Sequence, residues 1–222
     1  VAEQVVEFQT YIQERLDEKR LTPGDDVLSK LSVARYNDER PLTDPEIISI
    51  IDHLYIGGNE TTTFALASAV WILLREPGLY ERLRDDRSLV VPFLEESMRL
   101  ESPTQGLYRR VARDTELADV ALPEGATVHI RYGAANRDAD MFPDPDNVDL
   151  ERPNMLRHMA FSLGEHRCPG EGLSRLEQRM ALNTILDRLP DLRLSADNDF
   201  QHAPGFVLRA LNRLNVAWTP ST

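Results

Sequence analysis

The chain has 222 residues, 41% of them hydrophobic and 28% charged, so it can bury a core in one large domain or in a piece of one. A formal net charge of −12 excludes a broad basic field for phosphates, and we expect no nucleic-acid partner. With one cysteine, no run of eighteen apolar residues and no charged-then-apolar leader, we expect a cytoplasmic protein that has no internal disulfide framework and binds no membrane.

Helical periodicity dominates the first third of the sequence. Residues 1–19 carry an apolar repeat at helical spacing: Val5, Phe8, Ile12 and Leu16. A first helix is therefore predicted there, ending before the turn residues Thr22-Pro23-Gly24. A shorter helix is predicted over about 26–33.

A long helix is predicted over 44–76. Thr43 and Glu46 form a capping-box pattern, and Pro45 lies in the first turn. Its length is about 50 Å at 1.5 Å per residue. Apolar residues lie on more than one face: Ile47, Ile48, Ile51, Leu54, Tyr55, Ala65, Leu66, Ala69, Val70 and Leu73. Such a helix is expected to be buried on most sides.

The segment Gly-Gly-Asn-Glu-Thr-Thr at 57–62 is poor helix material inside that long helix. Two adjacent glycines cost about 1 kcal/mol each relative to alanine. One interpretation is close packing, in which glycine lets another backbone approach. The other is a loosened helical ladder that leaves room for a ligand, with Glu60 and Thr61 beside it. The position of the segment favours the second interpretation.

The middle of the chain changes from helix to short strands. A helix over 90–101 carries Glu96 and Arg99, whose i, i+3 spacing permits an ion pair worth under about 1 kcal/mol. Residues 107–131 contain short runs broken by Pro123-Glu124-Gly125, which predicts small hairpins and not a large sheet. Residues 136–160 are predicted to be coil.

Two further elements are predicted near the end of the chain. A helix over 171–189 carries apolar residues at helical spacing: Leu173, Leu176, Met180 and Ile185. The runs Phe206–Leu208 and Asn215–Trp218 are predicted to pair as a final hairpin.

Cys168 lies in a loop over 161–170, Phe-Ser-Leu-Gly-Glu-His-Arg-Cys-Pro-Gly, directly before the helix over 171–189. A lone cysteine is most often an inert core residue. Here glycines on either side allow a tight turn, two basic residues precede the sulfur, and the helix would point free N–H groups toward it. Each of these features favours a thiolate, which suits a metal ligand.

The loop resembles the haem-ligand signature of cytochrome P450s, in which Phe, Gly, a basic residue, Cys and Gly recur at these spacings. Three further motifs in the family's order extend the resemblance over most of the chain from Thr43 onward. It implies a mainly α fold with small β-hairpins. Residues 1–222 would be the C-terminal part of a single haem domain of the bacterial soluble type. Because the first residue is Val1 and not Met, we expect that an N-terminal part is missing.

The resemblance implies roles for the long helix and the loop. Cys168 would be the axial ligand of haem b, iron protoporphyrin IX. Gly57 and Gly58 would make room for dioxygen, while Thr61 would hydrogen-bond to it and Glu60 would help relay protons from water. Many relatives carry Asp where this chain has Glu60. The implied cofactor-binding residues are Arg109, His166, Cys168, Phe161, Gly57, Gly58, Gly164 and Gly170.

Two cations are implied for the haem propionates, Arg109 and His166. Arg110 competes with Arg109 for this role, because alternation along a strand lets only one of them face inward. Both arginines are otherwise explained as solvated strand residues.

Glu96 and Arg99 also match the family's Glu-x-x-Arg motif, completed by Arg152 in the later coil. The resemblance implies that these three form a buried structural network. Truncation of one member would leave buried charge unpaired, at a cost of about 3–5 kcal/mol.

Candidate substrate-pocket residues are His53, Ile56 and Phe206. His53 lies one helical turn before Gly57, on the same face; a satisfied buried histidine is the competing interpretation. The segments Pro103–Leu107 and Phe206–Leu208 are expected to contribute pocket walls.

The implied function is that of a monooxygenase, which inserts one oxygen atom from O₂ into a small organic substrate. Its electrons would come from NAD(P)H through a ferredoxin or flavin-type donor. A peroxide-driven peroxygenase and a non-catalytic haem-binding fragment stay open as alternatives.

A basic cluster near the loop consists of Arg157, Arg167, Arg175 and Arg179. The residues alone favour a solvated helix face, and the resemblance adds a docking face for the electron donor.

Overall fold

The structure is a computed structural model that describes residues 2–219. The predicted boundaries at Val1 and over 220–222 lie outside the described residues. The α-helices are α1 Ala2–Leu21, α2 Val27–Ser32, α3 Asp44–Arg75, α4 Leu79–Asp85, α5 Val90–Leu100, α6 Tyr132–Ala135 and α7 Glu171–Arg188. In this part of the chain, no helix combines the length and the apolar character needed to cross a lipid bilayer.

The strands are short and pair in twos. They are β1 Arg35–Tyr36, β2 Arg40–Pro41, β3 Leu107–Arg110, β4 Thr115–Leu117, β5 Val120–Leu122, β6 Thr127–Ile130, β7 Arg193–Leu194 and β8 Val216–Ala217. All pairings are antiparallel: β1 with β2, β3 with β6, β4 with β5, and β7 with β8. Ala118 and Asp119 join β4 to β5 with positive φ at both positions, the backbone of a tight hairpin turn. The expected class, mainly α with small β-hairpins, is confirmed.

The described chain divides into two compact units, Val1–Asn59 and Glu60–Thr222, and the division falls inside α3. In the first unit, α1 lies against the first half of α3. Ile12 and Leu16 of α1 are buried, and the Gln9 amide donates to Asp52 of α3 at 3.0 Å. Asp26 caps α2 by accepting the N–H of Ser29 at 2.8 Å.

The predicted capping box of α3 forms only on its Glu46 side. The Glu46 carboxylate accepts both the N–H and the hydroxyl of Thr43, at 2.8 and 2.9 Å. The helix then runs unbroken through Gly57 and Gly58, so the predicted loosening of the ladder is wrong. The glycine penalty is small beside the continuous hydrogen-bond ladder of a 32-residue helix.

The prediction that α3 is buried on most sides is also wrong for its middle. Residues 53–60 are exposed, and Leu54, Tyr55 and Ile56 are 45%, 58% and 62% accessible. Periodicity shows that a face is apolar, but it does not show whether another element covers that face. The other predicted apolar positions are buried in four cases, Ile47, Ala65, Ala69 and Leu73, and half-buried in the other four, Ile48, Ile51, Leu66 and Val70.

The core of the second unit is built by the second half of α3 with α4, α5 and α7. Its buried members are Ala69, Ile72, Leu73, Leu79, Tyr80, Leu83, Val90, Phe93, Leu94, Leu100, Leu150, Leu182, Leu186 and Leu192. Nine of the eleven residues of α5 are buried, including charged ones. Helix α5 is therefore the central element of this unit.

The predicted terminal hairpin is wrong. Val216–Ala217 pairs with Arg193–Leu194, the segment that follows α7, and Leu208 forms an isolated bridge with Thr104. Two apolar runs separated by only a few residues resemble a hairpin in sequence, but each of these runs has a distant partner. Helix α4 and the β1–β2 hairpin were not predicted from the sequence.

Candidate active site

The cysteine loop is a tight structure closed by backbone hydrogen bonds. The N–H of Cys168 donates to the carbonyl of Phe161 at 2.9 Å, and the N–H of Arg167 donates to the carbonyl of Gly164 at 3.0 Å. Cys168 itself is a free, exposed cysteine. The loop therefore presents its sulfur at the surface instead of packing it among aliphatic groups.

Backbone strain in the loop falls on one residue that sequence analysis missed. Gly164 has φ +70° and Ser162 has φ +60°, in the left-handed region. For a residue with a side chain this conformation costs about 1 kcal/mol. Two contacts hold Ser162: its N–H donates to the Met159 carbonyl at 2.9 Å, and its hydroxyl lies 2.9 Å from the Tyr132 hydroxyl. A Ser–Leu–Gly sequence carries no signal that predicts this.

Phe161 packs beside the helix that carries the acid–alcohol pair. It is buried in a small cluster with Ala65 of α3 and Met98 of α5. Ala65 lies one helical turn after Thr61, so that turn of α3 and the cysteine loop are neighbours within the second unit. Thr61 is half-buried and Glu60 is exposed.

Gly57 and Gly58 are exposed on α3. A Cβ atom added at either glycine would have no heavy atom within 4 Å. At Gly170, beside the sulfur, the nearest atom to an added Cβ would be Cys168 Sγ at 3.8 Å. Open space therefore lies beside the two helical glycines, while Gly170 keeps a small residue next to the sulfur.

The two arginines of β3 lie on opposite faces. Arg109 is half-buried on the face of Leu107, whereas Arg110 is exposed and lies near Gly125. A guanidinium nitrogen of Arg109 donates to the Tyr108 carbonyl at 2.9 Å. His166 is exposed in the short helical turn before Cys168. Alternation thus separates the candidates as expected, and Arg109 stays the prediction for the propionate role.

The two segments expected to form pocket walls are paired through their backbones. The N–H of Gln105 donates to the carbonyl of Val207 at 2.7 Å, and the N–H of Arg209 donates to that of Pro103 at 2.8 Å. Phe206, next to this pairing, is 77% exposed. These strand-like segments therefore form one continuous surface.

In the first unit, His53 and Ile56 are both exposed on α3. His53 Nδ1 donates to the carbonyl of Ser49 at 2.7 Å, one turn earlier. The interpretation of His53 as a buried histidine is therefore wrong, because the ring is exposed and bound only to its own helix by this contact.

Glu96, Arg99 and Arg152 meet in a fully buried network. Glu96 accepts two bonds from Arg99, at 2.7 and 2.9 Å, and one from Arg152 at 3.0 Å. The other guanidinium N–H groups bind backbone carbonyls of the coil: Asn136, Pro143, Asp144, Pro145 and Asn147. The two arginines thus order a coil that has no hydrogen-bond ladder of its own.

The neighbouring carboxylate, Glu95, centres a second network that sequence analysis did not single out. It is 3% exposed and accepts two bonds from Arg175, at 2.6 and 2.9 Å, and one from His158 Nε2 at 2.9 Å. Burial alone would raise the pKa of Glu95, but these hydrogen bonds outweigh it and hold the pKa below its ordinary value. Two adjacent acids on a buried helix were the available signal, because each needs its own cation.

The basic cluster is partly neutralised. Arg167 binds the Glu171 carboxylate at 2.5 and 2.7 Å, and Arg175 binds Glu95 and Glu171. Arg157 and Arg179 are exposed and form no ion pair with any acidic side chain among residues 2–219. The solvated-face interpretation is therefore wrong for Arg175, which is half-buried beside two acids.

A cavity of about 230 Å³ lies between α5 and α7. Its lining includes Leu94, Met98 and Leu176 together with Glu95 and Arg175. A smaller space of about 150 Å³ lies at the predicted pocket wall and is lined by residues that include Gln105 and Phe206. The larger cavity therefore adjoins the Glu95 network.

Comparison with known proteins gives a consistent result. The sequence model of the family described as Cytochrome P450 matches residues 3–213. The chain is 38% identical over 208 residues to Cytochrome P450 107B1 of Saccharopolyspora erythraea, covering 93% of this chain and 51% of that protein. It is 37% identical over 214 residues to the Biotin biosynthesis cytochrome P450 of Bacillus subtilis, covering 96% and 53%.

Solved structures agree in fold. Substrate-free cytochrome P450 CYP150A6 of Mycobacterium marinum superposes with a TM-score of 0.94 at 33% identity, covering 100% of this chain and 56% of that one. The chain thus spans about half the length of the curated relatives it matches.

Proposed function

The chain belongs to the cytochrome P450 family, and on that premise we propose that the whole protein is a haem-thiolate monooxygenase acting on a small organic substrate. The observation that carries the proposal is the exposed Cys168, held in a closed loop beside the α3 turn that follows Thr61. An accessible sulfur in a loop closed by backbone hydrogen bonds supports Cys168 as the proposed metal ligand.

The residues of the loop fit the haem that the family implies. The Cys168 sulfur is accessible, and Gly170 leaves the space beside it free of a side chain. Arg109 and His166 are the proposed partners of the propionates. One cysteine cannot both bind iron and form thioether links, so we propose haem b. A cytoplasmic setting, expected from the cysteine usage, stays part of this proposal.

When bound, haem with a thiolate ligand supplies the cleavage of the O–O bond. The protein's own groups move protons and shape the site. Thr61, half-buried on α3, offers a hydroxyl that donates and accepts, and exposed Glu60 exchanges protons with water. Gly57 and Gly58 stay the residues that the family resemblance proposes for making room for dioxygen.

Electron delivery by a ferredoxin or a flavin-type donor, with NAD(P)H as the source, is the remaining part of the proposal. Arg157 and Arg179 are the exposed members of the basic cluster that form no ion pair among the described residues, and they support docking of an acidic partner. The neutralisation of Arg167 and Arg175 makes this patch weaker than the sequence alone indicates.

The first test concerns the sulfur. The reduced carbon monoxide complex of the full-length, haem-loaded protein is expected to show the red-shifted absorption of thiolate-bound haem, and Cys168→Ser is expected to lose it. Arg188→Gln, an exposed change on α7, is the matched control. A wild-type protein without the shifted band would refute the proposal.

The second test concerns the acid–alcohol pair. With NAD(P)H and a redox partner, Thr61→Ala is expected to consume cofactor while less product forms, because protons reach the oxygen site less well. Turnover with peroxide in place of NAD(P)H is expected to depend less on Thr61. Full coupling in Thr61→Ala would contradict the proton-delivery role.

A further inference from the structure

The Glu95 network connects three parts of the second unit. Glu95 lies on α5, Arg175 on α7, and His158 in the segment that leads into the cysteine loop. One carboxylate accepts hydrogen bonds from both partners, at 2.6 to 2.9 Å. Paired, charge-assisted bonds of this kind fix direction as well as distance.

Arg175 also contacts the start of the loop. Its guanidinium carbon lies 4.8 Å from the centre of the Phe161 ring, the geometry of a cation–π contact. The carbonyl of Phe161 accepts the N–H of Cys168 at 2.9 Å. A displacement of Arg175 is therefore expected to shift Cys168 through Phe161 alone.

The same guanidinium reaches the other side of the loop. Arg175 donates to Glu171, and Glu171 binds the guanidinium of Arg167 at 2.5 and 2.7 Å. Arg167 directly precedes Cys168 in the chain. Phe161, which accepts the N–H of Cys168, and Arg167, which precedes it, are thus both linked to Arg175. Glu95 sets the orientation of that arginine.

His158 completes the anchorage. Its Nδ1 accepts the N–H of Ala160 at 3.2 Å, so its Nε2 carries the proton that is donated to Glu95. The ring lies 6.1 Å from that of Phe161. The segment entering the loop is therefore held by both a backbone and a side-chain contact.

We propose that Glu95 and Arg175 form a positioning pair for Cys168, which keeps the loop in the one arrangement that presents the sulfur to haem iron. The inference rests on the proposed haem-thiolate function. Neither residue touches the sulfur by these contacts; they act through Phe161 and Arg167. A lysine at position 175 would keep the charge but lose the paired bonds and the planar stacking on Phe161.

The test uses the haem-loaded, full-length protein with Arg175→Lys and Glu95→Gln, and with Arg188→Lys as a control on the exposed face of the same helix. The rate at which the thiolate-type carbon monoxide band disappears in mild denaturant is measured together with helix content by circular dichroism. Both network variants are expected to lose the band about tenfold faster while helix content is retained, since each lacks charge-assisted bonds. The control is expected to match the wild type.

Loss of the band at the wild-type rate, or only in step with helix content, would overturn the inference. If the network variants do not fold, Arg167→Gln decides alone, because this side chain is 61% exposed and its removal leaves the core intact. Faster band loss in that variant supports the inference, and an unchanged rate overturns it. A wild type that never shows the band refutes the proposed function as well, whereas a normal wild type with unaffected variants refutes only the positioning role.

Discussion

Glu95 and Glu96 are neighbours on one buried helix, yet their surroundings differ. Glu96 and both of its arginines are 3% exposed or less, and the remaining donors of those arginines bind coil carbonyls. Glu95 is just as buried, but the side chain of its partner Arg175 is 32% exposed. The first network is closed to water, while the second opens toward solvent on one side.

The two adjacent carboxylates, Glu95 and Glu96, therefore have different roles. In the closed network, Arg99 and Arg152 replace the hydrogen bonds that an irregular coil lacks. In the open network, the Arg175 side chain is partly exposed to water and also binds Glu171. Removal of the Glu95 charge is therefore expected to reduce the free energy of unfolding by less than removal of the Glu96 charge. Matched Glu→Gln substitutions separate the two cases.

The largest expected effect is that of Glu96→Gln. Two buried guanidinium groups would lose their shared charge, and we expect the free energy of unfolding to fall by about 3–5 kcal/mol. Urea denaturation of the purified protein measures the change. Glu151→Gln, an exposed position beside Arg152, is the control and is expected to change stability by less than about 0.5 kcal/mol. A loss of similar size in both variants would refute the closed-network interpretation.

Glu95→Gln is expected to cost less, about 1–3 kcal/mol, because Arg175 can turn toward water and keeps Glu171 as a partner. The same denaturation experiment applies. A cost equal to that of Glu96→Gln would show that the second network is as closed as the first, and the distinction between them would fail.

A neutral anchor of the loop gives a smaller expected effect. Tyr132→Phe removes the hydroxyl that lies 2.9 Å from Ser162 and leaves the buried ring in place. We expect a loss of about 1 kcal/mol in the free energy of unfolding, typical of one hydrogen bond. Tyr108→Phe, on an exposed ring, serves as the control. No difference between the two variants would contradict an anchoring role for the Tyr132 hydroxyl.

The smallest effect is expected at Glu46, which is half-buried in the first unit. Hydrogen bonds from Arg40 and from the N–H of Thr43 lower the pKa of Glu46 to about 2, from an ordinary 4.5. Because the folded-state pKa is depressed, this contribution is complete above pH 4.5 and is lost as the pH falls through about 2. The thermal midpoints of wild type and Glu46→Gln should therefore converge over this window, and salt should reduce their difference. A difference that grows as the pH falls would contradict this.

Local sequence patterns predicted much of the secondary structure. The capping signal at Thr43 and Glu46 located the start of α3 at Asp44, and the runs over 107–131 predicted small hairpins, which the structure forms as β3 with β6 and β4 with β5. Such signals are local, because caps, turns and periodicity depend on residues a few positions apart. The motif spacing around Cys168 and at Glu96-x-x-Arg99 located the candidate site for the same reason.

The patterns failed where a distant partner decides the outcome. The strand at Val216 pairs with Arg193 and not with Phe206, and nothing within either short run specifies that choice. The exposure of Leu54 and Tyr55 on an apolar face of α3 is another example, because burial depends on what packs against a helix.

The sequence by itself identified the residues proposed for the site: the lone cysteine between glycines and the Glu-Thr pair on the long helix, with the acid–arginine spacing on α5 predicted as structural. Only the tertiary structure decided how the charges pair, placing Glu96 with Arg152 and Glu95 with Arg175 across 56 and 80 residues. The physical reason is that a buried carboxylate needs a cationic partner, and the fold can supply that partner from a distant part of the chain. The spacing of residues in the sequence does not specify which distant cation it will be.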